Sequence, residues 1–120
     1  MILSTSRLRL YLYCHATDMR KGFDGLSGII SGELGQDPVS GDVYIFINKR
    51  RDRMKLFIWD GDGFWIFYKR LEKGTFQLPS NIADHVSLQL PYDDLLLMLK
   101  GIDFENIQRH KRYKGRLLTA

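Results

Sequence analysis

The chain has 120 residues, a net charge of +4 and a pI near 9.3; this sets one domain with a modest core, and it permits a nucleic-acid partner without demanding one. The one cysteine, Cys14, excludes an intramolecular disulfide and a cysteine-rich metal cluster and fits a reducing cytosol. The start MILSTSRLRLYLYC has no leader pattern and no apolar run reaches membrane-spanning length, so a cytoplasmic protein with no membrane partner is expected.

Residues 7–13, RLRLYLY, alternate and predict a strand. Leu8, Leu10 and Leu12 take one side, and Arg7, Arg9, Tyr11 and Tyr13 the other. We expect this strand at a sheet edge. Residues 19–34 then place Met19, Phe23, Leu26, Ile30 and Leu34 at helical spacing, with Thr17 or Asp18 as cap. Gly22, Gly25, Gly28 and Gly32 weaken that helix, and close packing on a sheet is the simplest reason for them. Their spacing is no dinucleotide fingerprint, because no Gly-x-Gly turn precedes the helix.

The stretch 42–76, DVYIFINKRRDRMKLFIWDGDGFWIFYKRLEKGTF, organises the rest. Apolar runs at 43–47, 54–59 and 64–68 have strand length and are rich in β-branched and aromatic residues. Residues 48–53 and the Asp60-Gly61-Asp62-Gly63 turn separate them. With even turns, Ile47 faces Met54, Ile45 faces Leu56, Ile58 faces Trp65 and Leu56 faces Phe67. One side of the sheet is then aliphatic. The other carries Tyr44, Phe46, Lys55, Phe57, Trp59, Phe64, Ile66 and Tyr68, either as a platform for a partner or nucleic acid or under a covering layer. A further strand is expected near residues 75–77, and an irregular run at 78–86. Pro91, Asp93 and Asp94 open a second, shorter helix through residues 95–99, apolar nearly all round, which Gly101 ends. Ile102, Phe104 and Ile107 can dock once more, and residues 109–120 form a basic tail with Arg109, His110, Lys111, Arg112, Lys114 and Arg116.

The residues argue against catalysis. Asp18, Asp24, Asp60 and Glu72 could in principle assemble a two-metal nuclease centre, but nothing in their spacing argues for one. Turn chemistry accounts for Asp60 and Asp62. His15, His85 and His110 stand alone, and Cys14 and His15, as neighbours in a strand, point to opposite faces. No catalytic residue, metal ligand or cofactor is assigned. Basic residues are more informative. Lys49, Arg50, Arg51, Arg53 and Lys55 crowd the first turn, and Lys69, Arg70 and Lys73 follow the third run. A meander brings both groups to one end of the sheet, where arginines suit phosphate contacts.

TDMRKGFDGL at residues 17–26 and DPVSGDVYIFINKRRDRMKLFIWDGDGFWIFYKRLEKGTF at residues 37–76 carry a resemblance. The chain resembles the small accessory protein of the insertion-sequence-66 group of bacterial mobile elements over roughly residues 10–103. It departs mildly at Asn48-Lys49 and after Phe76. The motif positions here are Arg20, Lys21, Arg50, Arg51, Asp52, Arg53, Lys55, Trp59, Asp60, Lys69, Arg70 and Glu72. The resemblance implies a role in transposition beside a separately encoded transposase, and it supplies no catalytic residue.

The combined expectation is an α+β domain over residues 1–108: an antiparallel β-meander of about four to five strands with the amphipathic helix on its aliphatic face and a shorter C-terminal helix. The expected function is non-catalytic, with DNA of the element ends bound at Lys49, Arg50, Arg51, Arg53, Lys55, Lys69, Arg70 and Lys73. The alternative is an interaction module that docks the transposase or forms a homo-oligomer through Tyr44, Phe46, Phe57, Trp59 and Tyr68. A metal-dependent nuclease is a third class.

Overall fold

The computed structural model describes residues 8–100. The basic tail, and Ile102, Phe104 and Ile107, lie outside the described residues. In chain order the elements are β1 (Leu10–Tyr13), α1 (Phe23–Gly32), β2 (Val43–Ile47), β3 (Arg53–Trp59), β4 (Phe64–Arg70), β5 (Ser87–Leu90) and α2 (Tyr92–Lys100). They build an α+β fold on one five-stranded sheet of order β4-β3-β2-β1-β5.

The meander β2-β3-β4 is antiparallel with the expected register: Ile47 pairs Met54, Ile45 pairs Leu56, Ile58 pairs Trp65 and Leu56 pairs Phe67. A one-residue slip would turn every aliphatic side chain to the aromatic face, so burial of both faces locks it. The sheet as a whole is mixed. β1 is not an edge: it runs parallel to β2 on one side and antiparallel to β5 on the other. The long connection through α1 makes the parallel pair possible, since parallel neighbours need a crossover. β5 was not expected. Its four residues, SLQL, are too few to show a period, and it forms because Leu88 and Leu90 pair with Leu12 and Leu10. Residues 75–77 form no full strand. Instead the Phe76 N–H donates to the Arg51 carbonyl at 2.7 Å, which seats the Phe76 ring in the core.

Each face has its own cover. On the aliphatic side Leu10, Leu12, Val43, Ile45, Ile47, Met54 and Ile58 pack with Phe76 and with Leu95 and Met98 of α2. On the aromatic side Tyr13, Tyr44, Phe46 and Phe57 pack with Leu26, Ile29 and Ile30 of α1. The helix therefore lies on the aromatic face, not the aliphatic one. It follows β1 and precedes β2, and the flat rings fill the space beneath its stripe of Leu26, Ile29 and Ile30. The Tyr13 hydroxyl fixes the far end of α1, donating to Glu33 at 2.8 Å. Burial, and then this bond, push its pKa up to about 12.

α1 begins four residues later than its spacing suggests. Asp18 draws Arg20 into a local turn, accepting from its backbone N–H at 2.9 Å, and Gly22 is the residue before the first helical turn. Packing on the sheet does not explain the helical glycines: a Cβ on Gly28 or Gly32 would meet open space, and one on Gly25 would meet the Lys21 side chain, at 3.1 Å from its Cβ. Gly28→Ala is accordingly expected to stabilise the fold by up to about 1 kcal/mol, read as a raised urea midpoint at unchanged slope.

Candidate nucleic-acid interface

The basic turn is shaped by one asparagine. Asn48 Oδ1 accepts from the backbone N–H groups of Asp52 and Arg53 at 3.0 and 2.9 Å, and its amide donates to Asp52 Oδ1 at 2.7 Å. Those bonds replace ladder bonds that the turn residues lack. They leave Lys49, Arg50 and Arg51 pointing out, all three exposed. Arg51 takes φ 62°, left-handed backbone that a β-carbon disfavours.

The stretch Thr17 to Gly22 is held beside this turn. Thr17 N–H donates to the Ile47 carbonyl at 2.9 Å. The Lys55 ammonium donates to the carbonyls of Met19 and Lys21 at 2.7 and 2.8 Å. An open hollow of about 380 Å³ results, lined by Asp18, Met19, Arg20, Asn48, Arg50, Asp52, Arg53 and Tyr68. On the other side of the turn a second hollow, about 390 Å³, is lined by Cys14, His15, Lys49, Arg51, Leu78 and Ile82 among others.

The expected basic residues thus divide. Arg53 pairs Arg70 across β3 and β4, so the turn and the end of β4 do meet. Arg50, Arg53 and Arg70 lie on the α1 side with Tyr68, while Lys49 and Arg51 serve the opposite hollow. Lys69 points to the α2 side and donates to the Leu99 carbonyl at the end of α2. Lys73 is exposed beyond β4. Lys55 is not at the surface. It is 8% exposed, its ammonium is spent on two carbonyls, and it lies 4.8 Å from the centre of the Tyr68 ring. A lysine in the alternation of a basic stretch looks like a surface cation until the stretch before α1 closes over it.

The acids are engaged locally. Arg20 forks Asp18, the shortest contact 2.7 Å, which holds the Asp18 carboxyl down at about 2. Arg70 meets Glu72 at 2.8 Å, and its own pKa is raised by that carboxylate. Lys49, Arg50, Arg51 and Arg53 have no carboxylate partner among the described residues. Lys49, Arg50 and Arg51 are exposed, and Arg53 is half-buried and donates to the Tyr68 hydroxyl. Sequence reasoning left Arg20 out of the site. Only its place among the motif residues signalled it.

The partner face is also redistributed. Tyr44, Phe46 and Phe57 are 0% exposed beneath α1 and offer nothing to a partner. Trp59 is half-buried against Phe64, and Tyr68 is exposed. Among the described residues no group of three or more His, Cys, Asp or Glu side chains is placed to hold a metal ion. Asp60 instead accepts from the Trp65 indole at 2.5 Å. No helix among the described residues is long and apolar enough to cross a membrane.

Over residues 8–109 the chain matches the family described as IS66 Orf2 like protein. The chain belongs to that family. Two relatives from Sinorhizobium fredii (strain NBRC 101917 / NGR234) are similar along nearly their whole length. Uncharacterized protein y4jC is 32% identical over 109 residues, covering 91% of this chain and 92% of the relative. Uncharacterized protein y4hO is 31% identical over 108 residues, covering 90% and 92%. No solved structure matches the chain significantly.

In this IS66 Orf2 like protein, Arg51 offers a direct test of what its turn is for. A glycine at φ 62° relieves the β-carbon strain. Arg51→Gly is expected to raise stability by up to about 1 kcal/mol while it weakens DNA binding. Thermal melting and a DNA titration of the same variant check the pair. A variant that is more stable and binds equally well would show that the arginine has no ligand to serve.

Proposed function

We propose that the chain is a non-catalytic accessory protein of DNA transposition that binds DNA through the cations around residues 48–53. Family membership supports the transposition role. One observation carries the DNA reading: Lys49, Arg50, Arg51 and Arg53 have no carboxylate partner among the described residues, and they sit on a turn rigidified by Asn48. Guanidinium and ammonium groups carried on an ordered turn suit phosphate, and such contacts give affinity without reading sequence. Arg20 and Arg70 add to the surface, since exposed ion pairs are weak and can exchange a carboxylate for a phosphate. The ends of the element and the transposase are the expected partners.

The test is a titration of labelled element-end DNA across a salt series. Each lost phosphate contact lowers the slope of log affinity against log salt by about 0.9. Arg50→Glu/Arg53→Glu is therefore expected to reduce the slope by about 2 and to cut affinity by about a hundredfold or more at low salt. An unchanged slope and affinity would sink the reading.

A second reading, an interaction module, is favoured by β4. It is an edge strand, and Trp65 and Phe67 stack on each other, centroids 5.9 Å apart, while 47% and 40% exposed. Leu96 and Leu97 of α2 are exposed as well. This surface, rather than the buried rings under α1, would take the transposase or a second copy. Sedimentation at several concentrations, with and without the transposase, checks it. A strict monomer that ignores the transposase removes this reading.

A further inference from the structure

The inference rests on the DNA reading above and narrows it to one form of DNA. It starts from Tyr68. The aromatic side of the sheet carries Tyr44, Phe46 and Phe57 at 0% exposure, yet Tyr68 on the same side is 51% exposed. The cluster under α1 takes in Phe64 and Ile66 of β4 but not Tyr68. The ring lines the hollow beside the basic turn, and with Arg53 and Arg70 it lines a smaller recess next to it.

The ring is held from behind. Lys55 Nζ lies 4.8 Å from its centroid and is itself tied to the carbonyls of Met19 and Lys21. A ring has two faces. Lys55 lies over one of them, and the residue as a whole stays half exposed. At the rim, Arg53 Nη1 donates to the Tyr68 hydroxyl at 3.3 Å, and Arg70 stands two residues along on the same side of β4. A flat, anchored, half-open aromatic ring edged by guanidinium groups matches what unpaired nucleotides use: a surface for one base to stack on, with cations for the phosphates on either side. Of the two acids that line the hollow, Asp18 is forked by Arg20, while Asp52 keeps its charge beside the neutral Asn48 amide; Arg20, Arg50 and Arg53 outnumber the two.

We infer that the hollow takes single-stranded DNA, one base stacking on Tyr68 and the adjoining phosphates resting on Arg53 and Arg50. A duplex cannot use the ring in this way. Its base faces are covered by their neighbours, and only an unpaired base offers one.

The experiment uses the full chain and three labelled probes of equal length: single-stranded oligothymidine, a duplex, and an oligonucleotide with abasic sugars in place of the thymidines. At matched salt the single strand is expected to bind tighter than the duplex. Tyr68→Leu keeps a strand-compatible apolar residue and removes the ring. It is expected to weaken the single strand by about tenfold and to leave the duplex within about twofold. The abasic probe is expected to lose the same factor with the wild-type chain and nothing more with Tyr68→Leu, whereas Tyr68→Phe retains single-strand binding. The abasic comparison needs no variant, so it stands even if a substitution impairs folding. Equal binding of duplex and single strand, with no effect of Tyr68→Leu or of abasic sugars, would overturn the inference and leave the DNA reading intact. No binding of any probe at low salt would overturn both.

Discussion

Lys55→Met is expected to destabilise the fold by about 2–4 kcal/mol while leaving duplex-DNA affinity of the folded protein nearly unchanged. The methionine preserves the stem of the side chain and removes only its charge and its donors. What is lost is a pair of charge-assisted bonds, 2.7 and 2.8 Å, to the carbonyls of Met19 and Lys21, together with the cation against the Tyr68 ring at 4.8 Å. Bonds to a charged group contribute about 1.5–3 kcal/mol each, and a carbonyl left without its donor adds a penalty unless water reaches it. Lys21 is exposed, so its carbonyl recovers water more readily than that of half-buried Met19. This places the cost below the simple sum. The same bonds anchor the stretch that leads into α1, so hydrogen exchange of residues 19–22 is expected to speed up more than that of β2. Urea unfolding followed by tryptophan fluorescence measures the stability. A loss under about 0.5 kcal/mol together with a large loss of DNA affinity would return Lys55 to the phosphate-binding group.

Phe46→Ala is expected to cost about 3–5 kcal/mol, a large part of the roughly 5–15 kcal/mol that holds a domain of this size together. Phe46 is 0% exposed in the interior strand β2 and packs near Tyr13, ring centroids 5.9 Å apart, in the cluster that includes Leu26 and Ile30 of α1. Truncation leaves a cavity between sheet and helix, and neither can close it without breaking the paired strands around it. Phe57→Ala is expected to fall in the same range, since Phe57 is equally buried and lies 4.8 Å from the Phe64 ring. A docking role for these rings would give another signature: normal melting temperature and lost association. Circular dichroism melts beside a transposase pull-down separate the two.

Much of this protein was settled by local chemistry. The alternation in residues 43–68, and the Asp-Gly pairs that allow tight reversal, determine three strands and the pairing of Ile47 with Met54 and Leu56 with Phe67. That register in turn brings Arg53 opposite Arg70, so the closeness of the two basic groups was also legible. Motif residues were enough to indicate the family. These features depend on contacts between near neighbours in the chain, or on the strict two-residue period of a strand.

Tertiary structure decided the rest. A sheet that is apolar on both faces accepts a helix on either, and hydrophobicity does not choose between them. The connections of α1 to β1 and β2 put it on the aromatic side, which converted Tyr44, Phe46 and Phe57 from a possible docking surface into core. The same placement buried Lys55, because a cation can enter a core only where backbone carbonyls from another segment meet it. β1 became an interior strand, and the short β5 formed, because of partners more than thirty residues away in the chain. Tyr68 stayed half exposed because the cluster under α1 takes in Phe64 and Ile66 of β4 but not Tyr68, and no periodicity in the sequence records where a helix stops covering a sheet.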